Sequence, residues 1–347
     1  VCPKYDVSAF IRDYLSVKQQ AIPQQKKIYI NFKDFVELSK IDAEPLLAEM
    51  LAYAKRYQIL LDGNSGSTAL DACIDRLNRL ETTVTRPYFL EVLRLYNESK
   101  LTLTQVTEIF LTTESYLFRR TMCDLPTNAL NKIFLMLHRE IVRYDGTEDD
   151  YVEKFKYALL SKKERARFPD DVEFKVAFEE RPVYLMNSKN KIYLLERFEN
   201  FGTSEDKDVY RHCDDGTYSI EHIMPQHLTP VWQKELGDDY EQIHEEWLHR
   251  MANLTLTAYN SKYSNSSFTE KKTMQNGFDD SGIRMNTWIA KKNKWTLAEL
   301  EERSEYLMGR ALSIWAAPVT EYKPEEKQLD TYTLEDEDEL TGRLIAK

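Results

Sequence analysis

Glycine and proline are scarce, ten and 11 in 347 residues. β-Sandwiches and glycine-rich cofactor loops draw heavily on both, so neither is expected. Cysteine is scarcer still. Cys2, Cys73, Cys123 and Cys213 stand singly, with no CxxC pair. That spacing gives no cysteine zinc motif and no disulfide framework, so a reducing, cytoplasmic setting is expected. No run of 18 apolar residues occurs, hence no membrane span, and no basic-then-apolar signal segment opens the chain. Met is missing from the first position, which is Val1. The chain stops in the apolar run Leu344-Ile345-Ala346-Lys347, so a piece of a longer protein is expected.

Positive charge is in deficit, 47 Lys+Arg against 58 Asp+Glu, for a net charge of −11. Apolar residues at 42% are still enough for a sizeable core, which excludes wholesale disorder. The acidity is concentrated. Glu321 to Glu339 holds nine acids and two lysines and reads as a solvated linker. Arg250 to Trp295 holds eight bases and three acids, a local excess of +5. Such a segment either lines a phosphate-binding groove or forms ion pairs with the surplus acids of neighbouring helices.

From Asp6 to about Leu160 the periodicity is helical. Phe10, Ile11, Tyr14 and Leu15 share a face, as do Phe89, Leu90, Val92, Leu93 and Tyr96 behind an early proline, Pro87. Further helices are predicted from Leu103 to Leu117 and from Leu130 to Ile141, with a loop at 62–67. Asp170 is placed to cap another helix that Arg181-Pro182 closes, and a short helix follows over 192–198. From Ser204 the composition shifts, and helical periodicity stops until Glu241. Tyr218 to Ile223 suits a short strand ended by Pro225, and Asn253-Leu254-Thr255-Leu256-Thr257 suits a second. A helix starts near Phe268. Leu300, Tyr306, Leu307, Ala311, Leu312 and Trp315 mark a last helix that should pack back on the bundle.

Four of the six histidines lie between His222 and His249, and Glu221-His222 sits on the first strand with its two side chains on opposite faces, or on two sides of a small site at the strand end. Strand, long loop, strand and helix, carrying acid-His, Asn and Asn in order, form a specific arrangement. At Ile220-Glu221-His222-Ile223-Met224-Pro225-Gln226, His249 to Leu256, Asn260-Ser261-Lys262, Asn265, Phe268 and Lys271, the chain resembles the HNH, or ββα-metal, nucleases. More closely it is similar to the C-terminal nuclease domain of GmrSD-type restriction endonucleases, over about Phe168 to Trp288. Arg167-Phe168-Pro169 and Tyr193 to Arg197 look like the helical lead-in of that family.

The resemblance implies a mainly α fold, a helical bundle followed by a small ββα-metal α+β unit. The expected divisions are a helical domain at 1–205, the nuclease unit at 206–290, a helix at 291–317 and an acidic linker at 318–347. It implies a metal-dependent endonuclease with DNA, including modified phage DNA, as substrate. Relatives usually carry an N-terminal ParB-like nucleotide-hydrolysing domain, which is absent from these residues.

Phosphodiester hydrolysis needs a base for water, a cation on the phosphate and positive charge around the backbone. His titrates near neutrality, so His222 suits the base. A carboxylate and a carboxamide are hard oxygen ligands, fit for Mg²⁺ or Mn²⁺. By the family match Glu221 and Asn260 are those ligands, where many members carry Asp or His. Asn253 orients the imidazole of His222, and Lys262, Asn265 and Lys271 contact phosphate. So small a ligand set fills when substrate phosphate completes it. His227, His244 and His249 read as surface or loop residues. The i, i+5 spacing of His244 and His249 does not match helical zinc motifs. The alternative to an endonuclease is a non-catalytic DNA- or protein-binding module, and a weaker third reading is a ribonuclease.

Overall fold

The computed structural model describes residues 6–80, 82–259 and 263–325. The chain divides into two units. One is Val1–Tyr116, Leu125–Phe168 and Pro318–Lys347; the other is Leu117–Asp124 and Pro169–Ala317. The division at 168/169 falls before the composition shift at Ser204, so that shift marks a change inside the second unit.

The first unit is helical among its described residues: α1 (Val7–Gln19), α2 (Ile28–Ser39), α3 (Ala43–Asp62), α4 (Thr68–Arg79), α5 (Arg86–Asn97), most of α6 (Leu103–Met122), α7 (Leu130–Arg143) and α8 (Tyr151–Leu160). Helix α3 stops at Gly63, whose φ of +60° is the left-handed conformation that glycine adopts without strain. Pro87 sits in the first turn of α5, as its position in the sequence predicts. Of the α5 stripe, Phe89, Leu90, Val92 and Leu93 are buried and Tyr96 is exposed, and Phe89 stacks on Phe110 at 3.8 Å between ring centroids. The start of the expected acidic linker packs here: Tyr322 lies 5.9 Å from the Tyr144 ring and 5.8 Å from the Tyr157 ring. Aromatic burial holds these residues despite the acids around them.

The second unit begins with α9 (Asp171–Glu180), capped by the Asp170 carboxylate on the Glu173 amide, and α10 (Ser188–Asn200). Then come α11 (Val209–Asp214), β1 (Ser219–His222), α12 (Pro230–Leu236), α13 (Tyr240–Trp247), β2 (Leu254–Thr257), α14 (Phe268–Thr273), α15 (Asn286–Ala290) and α16 (Leu297–Ile314). Two of these correct the sequence reading, because α11 and α12 occupy a stretch expected to lack helix. Each is under two turns, too short to display a 3.6-residue period, and is started by local chemistry. Asp208 accepts from the Arg211 amide and Pro230 opens α12.

Strands β1 and β2 pair antiparallel, with Ile220 opposite Leu256 and His222 opposite Leu254. A two-stranded sheet is not stable alone. This one is closed in by its neighbours, and every residue of β2 is buried. Ile223, Met224, Trp232, Phe268, Trp295 and Leu300 form the core against which it rests. Helix α16 buries Leu300, Leu307 and Ala311, while Tyr306 is exposed. Trp315, just after it, stacks on Phe118 at 4.1 Å and donates to the Tyr193 hydroxyl at 2.9 Å.

Candidate active site

β1 ends in two titratable residues on opposite faces. On one face the Glu221 carboxylate meets α14. The ammonium of Lys271 donates to Glu221 Oε1 at 2.5 Å, to the His222 carbonyl at 2.9 Å and to the Ile223 carbonyl at 3.2 Å. Both side chains are buried, Lys271 completely. Burial pushes the Glu221 carboxyl up to about 7, against the pull of the Lys271 charge. Burial likewise lowers Lys271, against the pull of Glu221. Desolvation thus opposes both charges, and mutual attraction plus two carbonyls hold them.

Lys271, expected as a phosphate contact, is therefore an interior residue. The cause is local. The Ser267–Glu270 capping box starts α14 so that Phe268 and Lys271, three residues apart, share the inward face. Asn265 is exposed just before it. Asn260 and Lys262, an expected metal ligand and phosphate contact, lie outside the described residues.

On the other face lies His222, 5% exposed. Its Nε2 is 3.3 Å from Nδ1 of His249, and its Nδ1 is 3.4 Å from the Gln226 amide nitrogen. The Tyr184 ring stands edge-on to His222, centroids 4.3 Å apart at 63°. That ring also stacks on His249 at 5.4 Å and 11°. Lys191 fixes Tyr184, donating to its carbonyl at 2.8 Å with the ammonium 4.7 Å above the ring. Burial, aided by positive charge on His249, Lys271, His244 and Lys191, lowers His222 to about 3. At neutral pH the imidazole is uncharged, and burial makes it a weaker base than the near-neutral titration expected from the sequence.

Asn253, wholly buried, ends a 3-10 turn leading into β2. Its Oδ1 accepts from the Met224 amide at 2.8 Å and from Trp295 Nε1 at 3.3 Å. Its Nδ2 donates to the Met224 carbonyl at 2.9 Å and the Leu248 carbonyl at 3.1 Å. Asn253 thus fixes the main chain just after His222, and its amide bonds backbone and indole rather than the imidazole. Arg303 of α16 brackets it, donating to the Ala252 and Leu254 carbonyls at 2.7 and 2.9 Å.

Glu221 is a hard ligand of the kind that divalent cations take, but its Oε1 already holds an ammonium. Among the described residues no group of three or more His, Cys, Asp or Glu gathers that could hold a metal ion. The donors present fit such a cation in kind and fall short in number. The basic excess of 250–295 is also largely internal. Lys292 pairs with Glu302 at 2.5 Å, Arg250 with Glu246 at 3.0 Å, and Arg284 with Glu199 at 3.9 Å.

Sequence reasoning missed His249, Tyr184 and Lys191. His249 lies within the words that carry the resemblance, and its place four residues before Asn253 was a usable signal. Tyr184, in a 3-10 turn over Val183–Leu185, offered none.

Residues 168–310 match the family described as GmrSD restriction endonucleases, C-terminal domain, and that stretch holds every residue of the site above. No curated protein matches the chain. No helix among the described residues is long and apolar enough to cross a membrane.

Proposed function

We propose that the second unit is a metal-dependent DNA endonuclease of the HNH, ββα-metal kind, the cutting part of a restriction or anti-phage system. The observation that carries this reading is His222. It is a buried imidazole, uncharged at neutral pH, at a strand end beside a carboxylate and in front of a helix. His222 takes a proton from water. The oxygen left behind forms a new bond to phosphorus, the scissile P–O bond breaks, and the leaving oxygen is protonated from solvent. Lys271 and Asn253 hold the main chain from the base onward, at the carbonyls of His222 and Ile223 and at both backbone groups of Met224.

Glu221 and Asn260 would hold Mg²⁺ or Mn²⁺, with substrate phosphate completing the shell. When bound, the cation supplies charge stabilisation at the phosphate. It would also take over from Lys271 the neutralisation of Glu221. Recognition of modified DNA, and nucleotide control, would reside in an N-terminal domain of the kind that accompanies this family.

The Glu221–Lys271 ion pair supports a second reading, a DNA- or protein-binding module without cleavage, since the carboxylate is already satisfied. Incubation with supercoiled plasmid separates the two. The endonuclease nicks it with Mg²⁺ or Mn²⁺ and stops with EDTA or with His222→Ala. A binding module retards DNA in a gel without metal and is indifferent to that substitution. A parallel incubation with RNA tests the ribonuclease reading.

A further inference from the structure

We propose that His249 is a positioning residue for His222, holding it in the tautomer with the proton on Nε2 and leaving Nδ1 to take the proton from water. This rests on the reading of His222 as the base. The Gln226 amide nitrogen, 3.4 Å from Nδ1, can only donate, so Nδ1 is the acceptor. A neutral imidazole then carries its proton on Nε2, which faces His249 Nδ1 at 3.3 Å. His249 accepts through Nδ1 and keeps its own proton on Nε2.

The acceptor is itself fixed. The His249 ring stacks on Tyr184, and the His249 carbonyl receives the Tyr184 amide at 3.1 Å. Among the described residues, no carboxylate or backbone carbonyl is hydrogen-bonded to the His222 ring, so His249 is the acceptor that the Nε2 proton meets. Gln226 is exposed. Its long contact to Nδ1 yields to a water molecule without disturbing the core.

Two readouts test this on the full chain. Long-range proton–nitrogen correlation spectra of nitrogen-15 histidine report which ring nitrogen of His222 carries the proton. Plasmid nicking with Mn²⁺ reports the rate. His249→Phe keeps a ring on Tyr184 but cannot accept a hydrogen bond. It is expected to mix the His222 tautomers and slow nicking about 10–100-fold, the usual effect of losing a group that orients a functional imidazole. His249→Asn, with an amide oxygen as acceptor, is expected to restore the Nε2 tautomer and much of the rate. A thermal melt shows whether either variant is unfolded, and the folded one then decides.

A wild-type imidazole protonated on Nδ1 would overturn the inference. So would a folded His249→Phe that nicks within about twofold of wild type and keeps its tautomer. The failure of the base reading looks different: His222→Ala nicks as fast as wild type, whatever the tautomer.

Discussion

Replacing Lys271 by Met removes an ammonium from a site where neither partner sees water; its side chain is 0% exposed and that of Glu221 4%. Methionine keeps the aliphatic bulk. Glu221 is left in an apolar setting, and the His222 and Ile223 carbonyls lose a donor. Removing one partner of a buried pair costs about 3–5 kcal/mol, and no discount for solvent screening applies here. At about 2–4 °C per kcal/mol for a unit of this size, the melting point of the second unit should fall by roughly 6–20 °C. Circular dichroism melts at neutral pH read this directly. The double variant Glu221→Gln, Lys271→Met removes both charges and should regain at least about half of the loss, because a neutral buried pair carries no ionic desolvation cost. A surface phosphate contact behaves in the opposite way. The melting point would stay put, and the slope of log affinity against log salt would flatten by roughly 0.9. A single variant with an unmoved melt and a flattened slope would refute the burial argument.

Asn253→Ala should destabilise the second unit by more than about 2 kcal/mol in urea titrations, because it orphans both backbone groups of Met224 and the Leu248 carbonyl. Gly277→Ala should cost about 1–3 kcal/mol or more. Its φ is ordinary, but a Cβ there would lie 2.4 Å from the Lys272 carbonyl oxygen and 2.6 Å from that of Lys271. In the first unit, burial raises Asp13 from 3.8 to about 6 despite Arg12 and Arg86. A folded-state value above the unfolded one means stability that is complete below about pH 4 and lost as pH rises through 6. The loss is at most about 3 kcal/mol. Urea midpoints of Asp13→Asn should therefore gain on wild type between about pH 4.5 and 7.5, and a constant gap would contradict the assignment.

The elements with several turns of apolar period were legible. The buried faces of α5, α6, α7 and α16 follow from side chains that must leave water together. The β1–β2 pair was legible for the same reason at a period of two. What escaped is what tertiary docking decides. A lysine one turn into α14 looks solvated until the capping box fixes which way the helix faces, and only then does Lys271 turn inward. The 250–295 basic excess suggested a groove because sequence shows charges without their partners. Glu199 and Glu302, which neutralise part of it, lie on α10 and α16. Tyr184 reaches His222 only through the fold, so no local pattern announces it. The i, i+5 spacing of His249 from His244 matches no helical zinc motif, and the contact of His249 with β1 joins residues 27 apart in the chain.

The side chain of Asn253 acts as a peptide group. It gives a donor to one backbone group of Met224 and an acceptor to the other, which adds a rung two residues past the end of β1 at His222. Neither Asp, which cannot donate, nor Gln, one methylene longer, reproduces that rung. In an ordinary rung, the two strands part when the sheet frays, and the amide proton exchanges with solvent at a rate set by local fraying. Here the proton of Met224 is held by a rotor whose oxygen is also bonded to the Trp295 indole, in the middle of the core. It cannot be released until that indole moves. The amide of Met224, two residues beyond a four-residue strand, should therefore exchange with deuterium as slowly as the unit's most protected helical amides, on the timescale of the whole unit opening.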